Sequence, residues 1–75
     1  MDRITIFRPE GGVYEVHTVP HKDCPYLYAS KLVNRHRREG QDFSYQVEIS
    51  GKKSKPYSAD EIQVHAFLKE VFGAP

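Results

Sequence analysis

Phe43-Ser44-Tyr45-Gln46-Val47-Glu48-Ile49-Ser50 is the stretch that decides the fold. Apolar and polar residues alternate without a break, the period of a strand with one buried and one wet face. A strand wetted on one side belongs to an antiparallel sheet, because parallel sheets are covered on both faces. Gly51-Lys52-Lys53 reads as a turn. Residues 54–57 are a candidate short fourth strand, and Pro56, which has no N–H, limits it to an edge or a bulge.

Before that strand, Arg3-Ile4-Thr5-Ile6-Phe7-Arg8 has the same period of two, and Val13 to Val19 reads as its return strand. Pro9-Glu10-Gly11-Gly12 joins them as a hairpin turn, so the pair is antiparallel. Strand one lies near a potential sheet edge, guarded in part by Arg3, Arg8 and Pro9. Pro20 to Cys24 connects to a first helix over about 25–39. Asp23 is the expected N-cap, and Pro25 stands where an early helical position tolerates proline. Tyr28, Ala29, Leu32, Val33 and His36 share one face. Gly40 is the expected C′ residue, with Arg35, Arg37 and Arg38 in the last turn, where the helix dipole favours cations.

Ser58-Ala59-Asp60-Glu61 is a capping box that opens a second helix over 59–72. Val64, Phe67, Leu68 and Val71 form its main apolar stripe at i, i+3, i+4, i+7. Ile62, Ala66 and Phe72 lie off that stripe. Unless the hairpin packs them, they form an exposed apolar strip, the mark of a partner. The order is β-β-α-β-(β)-α: an α+β chain, residues 1–75 forming a single domain, with an antiparallel sheet of three or four strands and two helices packed on one face.

The 75-residue chain, 39% hydrophobic with five Tyr and four Phe, has the composition of a folded domain rather than a disordered one. Its core is thin, because a chain this short buries only about 60% of its unfolded surface. A deep catalytic pocket is hard to build in that volume. The net charge of +1 gives no bulk argument for nucleic acid or an acidic membrane, so any such case rests on local clustering. A single cysteine, no h-region at the N-terminus and no apolar run of membrane-spanning length make a cytoplasmic protein without membrane contact the expectation.

Five constellations could carry chemistry. His17, His21 and Cys24 are zinc-competent residue types spaced His-x3-His-x2-Cys, with His36 beyond. The spacing matches no familiar zinc module and lacks a firm fourth ligand, so the expectation is no metal and no cofactor. Cys24 at a helix start, near His21, has the position of an activated thiol. A hydrolase also needs an orienting group and an oxyanion hole, so no catalytic residue is assigned. Lys31, Asn34, Arg35 and Arg38 recur at i, i+3, i+4, i+7, flanked by Arg37, and fall within one helical arc. Lys52 and Lys53 on the turn could extend that basic surface. Finally, Tyr14, Tyr26, Tyr28, Tyr45 and Tyr57 cannot all be core in so small a domain, and surface tyrosines are good interface anchors.

Tyr45-Gln46-Val47-Glu48-Ile49-Ser50-Gly51-Lys52-Lys53, followed by a serine-capped helix, resembles the later half of double-stranded-RNA-binding domains. The departures forbid an assignment. No helix precedes the sheet, an extra hairpin stands in its place, and Ala59-Asp60-Glu61 replaces the basic cluster at the start of the last helix.

The leading expectation is a small non-enzymatic protein-binding module that occludes or bridges a partner with an acidic surface. By class-level analogy it is an inhibitor of host machinery of the kind phage and mobile elements encode. Lys31, Asn34, Arg35, Arg37, Arg38, Lys52 and Lys53 are its expected contacts. The alternative is nucleic-acid binding through the same basic helix. A minimal enzyme or metalloprotein using Cys24, His21 and His17 ranks below both. A weak homodimer is also expected, through the edge of strand one and the strip Ile62, Ala66 and Phe72.

Overall fold

The computed structural model describes residues 1–73. Its elements are β1 (Arg3–Phe7), β2 (Val13–Thr18), α1 (Pro25–Arg38), β3 (Ser44–Ile49), β4 (Lys52–Lys53) and α2 (Ala59–Phe72). The four strands form one antiparallel sheet in the order β2-β1-β3-β4. The α+β architecture, β-β-α-β-β-α, is therefore the one the patterning dictates. The chain consists of two hairpin-plus-helix halves that meet along β1 and β3. In that central register Ile4 lies opposite Val47 and Ile6 opposite Tyr45, and all four side chains are buried under the helices.

Strand β1 is not an edge strand. It pairs with β2 on one side and β3 on the other, so its N–H and C=O groups have no room for another chain. The edges are β2 and β4. In the β1–β2 hairpin, Gly11 (φ 104°) and Gly12 (φ 84°) take the left-handed conformations the tight return demands. A bulge follows, since Ile6 pairs with Glu15 while Phe7 pairs with Val13. The extra residue, Tyr14, stacks its ring on Phe43 at 4.4 Å.

The fourth strand exists but sits earlier than residues 54–57. Lys52 and Lys53 pair with Ile49 and Glu48, the Ser54 N–H donates to the Val47 carbonyl at 2.8 Å, and the chain returns to β3 at the Tyr45–Tyr57 bridge. Between these points the Ser54 hydroxyl accepts the Val47 N–H at 3.0 Å. Pro56 has no N–H to offer a ladder, which interrupts the strand there.

Helix α1 starts one residue later than an Asp23 cap would give. The Asp23 N–H is held by the Pro20 carbonyl at 2.9 Å in the preceding turn. Cys24 takes the N-cap position and makes no capping hydrogen bond with its side chain. At the other end Gly40 (φ 74°) closes a Schellman motif, with the Gln41 N–H bonded to the His36 carbonyl at 2.8 Å. Ala29, Leu32, Val33 and His36 are buried, as the face reading requires.

Helix α2 carries the expected capping box, Ser58 and Glu61 each accepting the other's backbone N–H. Its orientation about its own axis overturns the expected assignment of faces. Ile62 and Ala66 are buried, whereas Val64, Phe67, Leu68 and Val71 face solvent. The small Ala59 and Ala66 flank Ile62 and let α2 approach α1 and the sheet closely. The bulky stripe cannot occupy that narrow seam. The two helices run antiparallel, with Arg37 at the end of α1 beside Asp60 at the start of α2.

Candidate protein-binding surface

The basic arc of α1 does not survive as one free face. Arg35 turns toward β2 and lies 3.9 Å from Glu15. Arg37 turns the other way, pairs with Asp60 and donates to Gln63 Oε1 at 2.9 Å. Gln63 in turn donates to Asn34 Oδ1 at 2.7 Å. Asn34 and Arg37 thus join the two helices. Lys31 and Arg38 remain exposed without an ion pair among the described residues. Lys52 and Lys53 do not extend the arc. Lys53 pairs with Glu48 and Glu48 with Arg3, at the end of the sheet where β1 begins, whereas Arg38 leads through residues 39–43 into the opposite end.

His17, His21 and Cys24 are not gathered. His17 hydrogen-bonds Glu15 at 2.9 Å, and Cys24 is a half-buried free thiol. Among the described residues no three His, Cys, Asp or Glu side chains are grouped to hold a metal ion. Glu15 and His17 lie opposite the buried Ile6 and Ile4, so they point to the helix side of β2 rather than to the open face. The hydrogen bond from His17 and the nearby Arg35 hold the Glu15 carboxyl below its ordinary pKa.

The tyrosines are mostly structural. Tyr45 is buried, its hydroxyl 2.9 Å from His36 Nδ1, and burial pushes its pKa up to about 12. Burial likewise lowers the pKa of His36, helped by the adjacent Arg35, so the imidazole is held neutral. Tyr26, Tyr28 and Tyr57 pack against the core rim. His65, which periodicity does not mark, stacks on Tyr26 (4.8 Å), meets Tyr57 at a tilt (4.7 Å, 46°) and helps fix the rotation of α2.

Large apolar side chains are exposed singly at Met1, Val13, Val16 and Ile49, and together on the outward face of α2. Val64, Phe67, Leu68, Val71 and Phe72 are 58%, 62%, 43%, 52% and 77% exposed. On a helix of about 100° per residue Val64, Phe67, Leu68 and Val71 lie opposite Ile62 and Ala66, and Phe72, one turn beyond Leu68, continues the ridge along its flank. Of the expected strip Ile62, Ala66 and Phe72, only Phe72 is on the surface. Beside the ridge runs an open groove of about 940 Å³ between the helices, lined by Leu27, Lys31, Gln63, Ala66, Phe67 and Glu70 among others. The signal was present in composition. Ala59, Ile62, Val64, Ala66, Phe67, Leu68, Val71 and Phe72 leave α2 apolar on nearly every side. A two-layer fold can bury only one side of such a helix. No helix among the described residues is long and apolar enough to cross a membrane. Comparison with known protein families, curated proteins and solved structures finds no match for this chain.

Proposed function

We propose that the chain is a non-enzymatic protein-binding module that occludes or bridges a macromolecular partner, and that its contact surface is the outward face of α2. The observation that carries this reading is the ridge itself: five large apolar side chains exposed side by side on one helix. Patches of this size on small monomers are commonly functional. Lys31 and Arg38 stand on the neighbouring helix, free to meet acidic groups at the rim of a partner. Phage and mobile-element inhibitors of host machinery remain the class that fits a small chain acting through one face. Nucleic-acid binding draws less support, because it needs a contiguous cationic track and the cations of this chain are split or neutralised.

Affinity capture from the native host lysate tests the assignment. Phe67→Ser/Leu68→Ser is expected to lose the captured protein, while Lys31→Glu/Arg35→Glu/Arg38→Glu retains most of it. Loss with the charge variant and full retention with the serine variant would return the site to α1.

A further inference from the structure

We infer that the outward face of α2 is occupied by a second copy of this chain in a two-fold symmetric dimer. The inference rests on the protein-binding reading and names the occupant of that face in the free protein, which a captured host protein displaces. Three observations carry it. The first is area. With about 200 Å² for a phenylalanine and somewhat less for each aliphatic side chain, the ridge exposes roughly 500 Å² of apolar surface. A standard interface removes about 800 Å² per partner, of which about 65% is apolar in homodimers, so the ridge and its rim supply one half of such an interface.

The second observation is shape. The ridge and the groove lie next to one another on the same surface, and Phe67 belongs to both. A two-fold operation seats each copy's ridge against the other's groove in a single step, which is what an isologous contact requires. The apolar parts of the groove, Leu27, Ala66 and Phe67, meet the ridge, and Lys31 and Glu70 flank it.

The third is charge. A face that meets its own copy must not be strongly charged, because like charges would then oppose one another. Asp60 is already paired with Arg37, and Glu61 is engaged in the capping box. The charged groups that line the groove balance, Lys22 and Lys31 against Asp23 and Glu70. The same near-neutrality gives an acidic membrane surface little to attract.

Light scattering on the purified full chain across a hundredfold range of concentration is the test. The mass should rise from 8.7 kDa toward twice that value. Phe67→Ser/Leu68→Ser should weaken association on the order of 30-fold, as expected when two central anchors are truncated. Its circular dichroism should match that of the parent. In a Cys24→Ser background, Phe67→Cys, at the boundary of ridge and groove where the two-fold axis falls, should oxidise to a covalent dimer, and Lys53→Cys on the opposite face of the sheet should not. A constant mass of 8.7 kDa, with no Phe67→Cys dimer, overturns the inference. If the serine variant still loses a captured host protein in that case, the protein-binding reading stands with a foreign occupant. A dimer that forms equally well in the serine variant also overturns the inference, since the contact then lies elsewhere.

Discussion

Helices α1 and α2 are each fourteen residues long and lie antiparallel over one sheet, yet they distribute their apolar residues in opposite ways. Helix α1 is buried along Ala29, Leu32, Val33 and His36, and its outer side carries Lys31 and Arg38. Helix α2 buries only Ile62 and Ala66 and turns its largest apolar side chains outward. The ends of the helices are reversed as well. The uncapped start belongs to α1, and the complete capping box belongs to α2. The difference separates two tasks. Helix α1 closes the core, while α2 is held by its cap, by two small residues and by the aromatic stack around His65, leaving a whole face for another surface.

The largest contrast is expected from the same chemical change on both helices. Leu32→Ala removes a buried side chain and is expected to cost about 2–5 kcal/mol, whereas Leu68→Ala, measured at a concentration where the chain is monomeric, should cost less than about 0.5 kcal/mol. Chemical denaturation of the two variants decides it. Equal losses would mean that the α2 ridge is packed after all.

A second test concerns the polar link that locks α1 to the sheet. Tyr45→Phe keeps the ring and leaves the buried His36 without its partner, at a cost of about 1–3 kcal/mol. The melting temperature should fall accordingly, and a loss no larger than that of a surface change would show that the hydrogen bond contributes nothing.

The caps offer a paired measurement of smaller size. Ser58→Ala should cost about 1 kcal/mol, and Cys24→Asp should add about 0.5–1 kcal/mol, because α1 starts with no side-chain cap. A loss on adding Asp at position 24 would indicate that the half-buried thiol contributes more by packing than a cap returns.

The last test is pH, where the direction of the effect is the readout. Burial holds the folded-state pKa of His36 below its ordinary value near 6.5. Above about pH 6.5 both states are neutral and stability is flat. As pH falls below that value the unfolded chain binds a proton that the folded chain refuses, so stability declines by at most about 1.4 kcal/mol per pH unit until the folded pKa is reached. Ionised Glu15 acts in the same direction at lower pH, since its folded pKa is depressed and its contribution is lost as pH drops through that value. A melting temperature that stays constant from pH 7 to pH 5 would contradict the account of His36.

The sequence alone determined the element order, the antiparallel sheet, the hairpin at Gly11-Gly12, the capping box of α2 and the buried face of α1. These rest on local rules, namely side-chain period, turn chemistry and caps, which act within a few residues. It could not determine the strand order, and so placed β1 at an edge when β1 is central. It could not determine how α2 is rotated. Periodicity reveals that a helix has apolar stripes, but which stripe meets the core depends on the width of the seam it must enter. Here that seam admits Ile62 and Ala66 and excludes Phe67 and Leu68. Nor could it foresee that Arg35 and Arg37 would turn to opposite flanks, because their partners Glu15 and Asp60 stand 20 and 23 residues away along the chain and are brought near only by the fold. Tertiary packing decided which residues stay at the surface, and with that the face left for a partner.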